Sequence, residues 1–228
     1  MSELGITVKY LYHSGFSVET AHNLLIFDYY RGEIELGNKQ TWVFSSHSHP
    51  DHFNTAILDW QKKHPKIHYI FSKDINVEQS AENITFLAPE EECQIGPLQV
   101  KAFGSTDLGV SFLVKVDGTS IFHAGDLNWW YWWDDTPENI SQAETDFKNE
   151  IAKIKGEHID LAFFPVDPRL EHNYALGGEY FIQEVQPRYF VPMHFWKKTG
   201  AVEAFARKMA RRPSKIIALL ERNAEIQL

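Results

Sequence analysis

Cysteine is nearly absent: Cys93 is the only one in 228 residues. No disulfide can form within the chain, and a reducing compartment is the simplest setting. Positive charge is scarce too, with 22 Lys and Arg against 31 Asp and Glu and a formal net charge of −9. That balance disfavours generic affinity for nucleic acid or anionic membrane, although a net count leaves room for a local basic pocket. No apolar run reaches the roughly 18 residues that a spanning helix needs. Met1 to Lys9 lacks a basic stretch with an apolar run behind it, so the expectation is a cytoplasmic protein with no membrane partner. A GxSxG elbow, a phosphate-cradling glycine loop and a dinucleotide fingerprint are also missing, so none of these suggests a competing catalyst. With no repeat, low-complexity tract or linker, the expectation is one domain spanning residues 1–228.

Apolar residues are plentiful, at 43% hydrophobic and 14% aromatic. A chain of this length can bury about three quarters of its extended surface in one core. Short strands are expected at Ile6–Tyr12, Phe16–Glu19, Leu24–Phe27 and Val43–Ser45, then at Ile67–Phe71, Asn83–Ala88, Glu92–Ile95 and Leu98–Ala102. Val110–Val116 and Thr119–His123 flank Asp117-Gly118, the clearest hairpin signal in the chain. Helices are expected from Asn54, as an N-cap, to Lys63, from Pro137 to about Lys155, from Glu179 to Gln186 and from Ala201 to Arg211. Ile159–Phe164, Tyr189–Val191 and Lys215–Leu219 complete the strands. Strands dominate the first half, and strand-helix alternation the second.

The chain is organised around Phe44-Ser45-Ser46-His47-Ser48-His49-Pro50-Asp51-His52-Phe53. In an extended segment residues i and i+2 share a side, so His47 and His49 can aim at one point. Pro50 turns the chain, and Asp51 and His52 can face a second point a few ångströms away. Imidazoles suit zinc, and a carboxylate with a further imidazole suits a second ion. The alternative is a solvated loop rich in histidine.

His47-x-His49-x-Asp51-His52 resembles the HxHxDH motif of the metallo-β-lactamase superfamily of metal-dependent hydrolases. The resemblance implies an α/β fold, a four-layer αββα sandwich, with a one- or two-metal site at the rim between the sheets. Zinc is the first expectation, with manganese or iron as alternatives. His123-Ala124-Gly125-Asp126 resembles the family's second acidic motif, which makes Asp126 the carboxylate between the two metals. His123 itself reads as a buried, hydrogen-bonded histidine. The resemblance makes His194, at the end of Val191-Pro192-Met193, the last ligand of the second metal; the alternative is a core histidine beside Trp196.

The family usually places another histidine before the hairpin that leads to the acidic motif. Here the segment reads Ala102-Phe103-Gly104-Ser105-Thr106-Asp107-Leu108-Gly109. Asp107 could supply an oxygen instead, with Ser105 or Thr106 holding a water. Carboxylate in place of imidazole shifts preference from zinc toward manganese or iron. Asp28 ends a strand and suits a role behind a ligand histidine, accepting its N–H. His13-Ser14 resembles a His-Ser turn near the site in the lactonase-like branch. Asp167, Arg169 and His172 follow a strand on the side where ligand loops should gather, and Arg169 can hold an anionic substrate bidentately; a solvated loop is the alternative. Trp129-Trp130-Tyr131-Trp132-Trp133 begins three residues after Asp126. These residues either pack under the Pro137–Lys155 helix or in a homo-oligomer interface, or supply a wall, with Trp129 and Trp130 as its first members.

The functional expectation is a hydrolase whose metal-activated water attacks an ester-type bond, a lactone or a phosphodiester, in a small and anionic substrate such as a sugar phosphate. Asp51 is expected to be both a ligand and the catalytic group that manages the water's proton. The rival is a non-catalytic metal-binding or ligand-sensing protein with a degenerate first metal site.

Overall fold

In a computed structural model that describes residues 3–77 and 81–228, fourteen strands form two seven-stranded sheets among the described residues. In the first half these are β1 (Thr7–Tyr12), β2 (Gly15–Glu19), β3 (Asn23–Phe27), β4 (Gln40–Ser45), β5 (Ile67–Ser72), β6 (Ile84–Leu87), β7 (Glu92–Ile95), β8 (Leu98–Phe103), β9 (Ser111–Val116) and β10 (Thr119–His123). Helix α1 (Pro137–Ile154), β11 (Leu161–Pro165), α2 (Leu176–Val185), β12 (Tyr189–Met193), α3 (Thr199–Met209), β13 (Lys215–Ile216) and β14 (Glu225–Gln227) follow.

The sheets run β14-β1-β2-β3-β4-β5-β6 and β13-β12-β11-β10-β9-β8-β7. Each is antiparallel on one side and parallel on the other, with β3 to β6 parallel in the first sheet and β10 to β13 in the second. A parallel strand buried on both faces reads as a continuous apolar run. Asn23–Phe27 is such a run, with Leu25 and Phe27 in the core between the sheets and Leu24 and Ile26 in a second cluster on the outer face. Phe163 and Phe164 in β11 divide the same way. Phe163 stacks on Phe16 of the other sheet at 4.3 Å, and Phe164 on Phe181 of α2 at 4.5 Å.

Sheets and helices thus form the expected α/β sandwich. Over the first sheet, residues Thr55–Lys62 form a 3₁₀ helix rather than an α-helix. Asn54 does cap it, accepting from the Ala56 N–H at 2.9 Å. The Ile57 carbonyl, which an α-helix would use internally, instead accepts from the Tyr69 hydroxyl at 2.8 Å, which favours the tighter winding. Helix α1 starts as expected, with the Thr136 hydroxyl accepting from Asn139 N–H and Pro137 in the first turn. Helix α2 begins three residues before Glu179, with Gly177 and Gly178 in its first turn packed against Asn128 and Phe205. The Asp117-Gly118 turn has positive φ at both residues, 48° and 77°, as a two-residue hairpin requires.

The topology positions the site. Asp28, His47, Asp126, Asp167 and His194 all lie just beyond the carboxyl ends of parallel strands β3, β4, β10, β11 and β12. Ligand sites of open α/β sheets form in that crevice.

Candidate metal centre

Asp28 is buried at the turn after β3, at φ 43°. Its Oδ1 accepts from the Ser46 N–H at 2.7 Å, and its Oδ2 from the Ser46 hydroxyl at 2.6 Å and from His52 Nδ1 at 2.7 Å. Burial alone would raise this carboxyl's pKa, but the surrounding histidines, His123 and His52 first, hold it below the usual range. A proton on His52 Nδ1 leaves Nε2 free, and Nε2 lies 3.2 Å from Asp126 Oδ1. The second sheet repeats this device. Asp167 Oδ2 holds His194 Nδ1 at 2.8 Å, and His194 Nε2 lies 3.4 Å from Asp126 Oδ1. Burial disfavours a charged His194, yet Asp126 and Asp167 outweigh it and hold the imidazole at about 9.

Asp126 stands between two groups of ligand-type side chains. His47, His49, Asp107 and Asp126 form one, and His13, Asp51, His52 and His194 the other, each with its ligand atoms within 4.8 Å of one another. In the first group His47 Nε2 and His49 Nδ1 converge to 3.0 Å, as alternation along an extended chain predicts. His47 Nε2 lies 3.7 Å from Asp126 Oδ2, and His49 Nδ1 lies 3.9 Å from Asp107 Oδ2. Asp107 thus stands where the family pattern called for a histidine. The two groups differ in exposure: His49 and Asp107 are 47% and 45% exposed at their side chains, while His13, His52 and His194 are buried.

The second group departs from the sequence expectation at His13, which lies among the ligand-type atoms rather than behind them. Its Nε2 is 3.3 Å from Asp51 Oδ2, and its ring lies 4.0 Å from that of His194. Burial pushes its pKa down to about 4. His13, Asp28 and His194 all adopt left-handed backbone, with φ between 43° and 65°, a conformation that L-residues hold mostly at turns and at sites where function imposes strain.

The donor set fits divalent metal. Among the described residues, His13 Nε2, His52 Nε2 and Asp126 Oδ1 are buried with no hydrogen-bond partner. Buried polar atoms are rarely left so. Ligand atoms about 2 Å from a tetrahedral ion lie roughly 3.3 Å apart, close to the spacings here. Asp126 is held below the usual carboxylate range by His194 and His52 despite its burial. Gly125 permits the approach: at φ 54° its Cα faces Ser46 so closely that a Cβ would meet that side chain at 2.7 Å. His123 is a buried structural histidine, with Nε2 donating to the Ser14 carbonyl at 2.8 Å and Nδ1 accepting from the Gly125 N–H.

A cavity of about 390 Å³ opens over Asp126, bordered by Asp51, Asp107, Trp130, Trp132 and Arg169. The aromatic run divides between the two expected roles. Trp129 packs on Phe147 of α1 and Tyr180 of α2 and does not border the cavity. Trp130 faces it, with its indole N–H donating to the Asp126 carbonyl at 3.1 Å and its ring 5.8 Å from His194. Arg169 also borders the cavity, but its Nε and Nη2 are already spent on Asp167, so that edge cannot grip a substrate. His172 is exposed and lies outside the cavity wall, in Pro168–Asn173, where two short 3₁₀ turns broken by a kink at Glu171 (φ 51°) stand in place of the expected loop. Trp132 was not singled out as a site residue from sequence, nor was Thr106 as the tie between two loops. The Thr106 hydroxyl donates to the Asn128 carbonyl at 2.6 Å and accepts its N–H at 2.9 Å, joining the Asp107 loop to the aromatic run. Nothing local in the sequence marks that contact, which spans 22 residues.

A family model described as a beta-lactamase superfamily domain matches residues 7–130, more than half of the chain. A UPF0173 metal-dependent hydrolase from Thermococcus kodakarensis is 27% identical over 209 residues, covering 83% of this chain and 84% of that protein. Among solved structures, Igni18, described as a novel metallo hydrolase from Ignicoccus hospitalis, superposes with a TM-score of 0.69 at 16% identity over 98% of both chains. CmlA, described as a diiron beta-hydroxylase from Streptomyces venezuelae, superposes with a TM-score of 0.62 at 11% identity over 100% of this chain and 55% of its own. At such identities the two structures establish a shared fold and nothing finer.

Proposed function

Because the chain belongs to the beta-lactamase superfamily, we propose that it is a metal-dependent hydrolase acting on an ester-type bond, a lactone or a phosphodiester, in a small anionic molecule. The observation that carries this reading is the convergence of two ligand groups on one buried carboxylate, Asp126, under an open cavity. Divalent ions held there would supply water acidified to a pKa of roughly 7 and Lewis-acid polarisation of the substrate. Zinc suits the buried, histidine-rich group; manganese or iron suits the more exposed group that contains Asp107.

The chain's own groups have separable tasks. Asp28 and Asp167 fix which imidazole nitrogen His52 and His194 present. Asp51 borders the cavity, and His13 holds its carboxyl well below the usual range against the opposing effect of burial. It therefore stays ionised at neutral pH and can orient a water by accepting its hydrogen bond, while a carboxyl held this low is a weak proton acceptor, so its part in managing the water's proton rests on its place at the cavity. The indole of Trp130 borders the cavity, 5.8 Å from the His194 ring, and offers a flat apolar face to a substrate. Among the described residues no helix is long and apolar enough to cross a membrane.

The test is metal-reconstituted turnover on bis(p-nitrophenyl) phosphate and a lactone panel. The reading expects activity that returns with a particular divalent ion and is lost in Asp51→Ala. A protein that binds metal and small molecules tightly yet turns over nothing with any ion would instead be a sensor, a reading favoured by the exposure of His49 and Asp107.

A further inference from the structure

Arg169 is the only Lys or Arg on the cavity wall among the described residues, and it is held on two sides. Asp167 takes Nε at 2.8 Å and Nη2 at 2.6 Å. Trp130 and Trp132 lie nearly parallel, 7° apart with centroids separated by 6.0 Å, and the guanidinium carbon sits 5.8 Å from one ring and 5.7 Å from the other. Those distances are within cation–π range. Nη1 has no hydrogen bond with any described residue, and the side chain is 45% exposed. A guanidinium fixed along one edge and packed beside two rings presents its remaining donors without further loss of rotamer freedom. The remaining polar groups bordering the cavity include the carboxylates Asp51, Asp107 and Asp126, which repel an anion unless metal neutralises them. Arg169 therefore marks where a second negative group can be received, away from the bond that is broken.

We propose that Arg169, with Trp130 and Trp132, forms an oxyanion subsite that selects substrates carrying a carboxylate or phosphate on, or next to, a flat ring. The donors of Arg169 facing the cavity take the oxyanion, and the indoles take the face of the ring. Asp167 is a positioning residue. Its Oδ2 serves both His194 and Arg169, so one carboxylate sets the distance between the anion and the metal centre. This subsite rests on the metal-dependent reading for its role in catalysis, but its binding can be measured without turnover.

Calorimetric titration of the metal-loaded protein with 4-nitrobenzoate, 4-nitrophenyl phosphate and the neutral isostere 4-nitrobenzamide tests it. The native protein is expected to bind at least one of the two anions roughly tenfold more tightly than the amide, as one charge-assisted hydrogen-bonded contact implies. The anion that binds more tightly identifies whether the group is carboxylate or phosphate. Arg169→Gln should abolish the preference and leave amide binding and metal content unchanged, while Arg169→Lys should recover part of it. Trp132→Leu should weaken all three aromatic probes and spare inorganic phosphate. Anion binding that is the same in Arg169→Gln as in the native protein would overturn the subsite, since the anion would then be held by the metals alone. Native protein that binds amide and anions alike would overturn it too. Anion preference without turnover of any ester would leave the subsite standing and refute the hydrolase reading.

Discussion

His52 and His194 reach the same oxygen from opposite sheets: their Nε2 atoms lie 3.2 and 3.4 Å from Asp126 Oδ1, and each ring is held from behind by a buried carboxylate, Asp28 or Asp167. The pairing explains why these carboxylates are buried at all. Despite burial, Asp28 is held in its charged form by His123 and His52, and Asp167 by His194 and Arg169.

Removing one of these supports tests that account. Asp28→Ala strands the Ser46 N–H, leaves the Ser46 hydroxyl only His47 Nδ1 at 3.0 Å, and frees the His52 ring. Metal affinity is expected to fall about 10–100-fold, and the fold to lose about 2–4 kcal/mol for the unsatisfied buried donors. Elemental analysis and urea unfolding measure the two effects. Full metal content in a destabilised protein would show that Asp28 serves the fold alone.

The two ligand groups should lose metal independently. Asp107→Ala is expected to lower the more labile part of the metal content, and His194→Ala the more tightly held part. Asp107→His, which supplies an imidazole at this place, should raise zinc retention during dialysis. Two ions held equally tightly in the native protein and in Asp107→Ala would contradict the role given to Asp107.

Trp129 and Trp130 are neighbours with opposite predicted phenotypes. Trp129→Ala removes packing against Phe147 and Tyr180 and should cost roughly 2–4 kcal/mol. Trp130→Ala should leave the melting temperature nearly unchanged and raise KM for any ester substrate. Thermal melts and steady-state kinetics separate the two, and a Trp130 variant whose activity loss follows its stability loss would remove the indole from the site.

Asp117 gives a pH dependence far from the metals. Its carboxylate accepts from the Thr20 hydroxyl, Asn23 Nδ2 and the His22 N–H, and despite the opposing effect of burial these bonds hold its pKa below the usual value. A lowered folded pKa means stability that is present above the ordinary carboxylate range and lost as pH falls through the lowered value. Asp117→Asn, which tolerates the positive φ, should therefore be less stable at pH 7 by on the order of 0.5–1 kcal/mol after solvent screening. The gap should narrow as pH falls below the ordinary carboxylate range. An unchanging difference from pH 7 to pH 3 would contradict it.

The histidine-rich loop was legible as a cluster of ligand-type side chains because its spacing and the strand before it are local facts. Asp126 was singled out through its resemblance to a family motif at a strand end, and the structure brings it beside that cluster. The Asp117-Gly118 hairpin and the Thr136-Pro137 helix start were also read directly, since turn and cap chemistry acts within a few residues. His13 was placed near the site but not among the ligand atoms, because its position depends on a left-handed turn and on a ring contact with His194, 181 positions away. The double duty of Asp167 and the Thr106 tie to Asn128 were hidden for the same reason. Strand β14 pairs with β1 from the far end of the chain and is only three residues long, too short for its alternation to stand out. The 3₁₀ winding of residues 55–62 is accompanied by a tertiary hydrogen bond from the Tyr69 hydroxyl to the Ile57 carbonyl, which no local pattern could announce.

The most direct test is a crystal structure of the metal-loaded protein with anomalous scattering collected at the absorption edge of the bound metal. The arrangement predicts an anomalous peak about 2.0–2.2 Å from His52 Nε2, His194 Nε2 and Asp126, with a second, weaker peak between His47, His49 and Asp107. Crystals grown in excess zinc or manganese that show no peak beside Asp126, or ions bound only elsewhere on the surface, would contradict it.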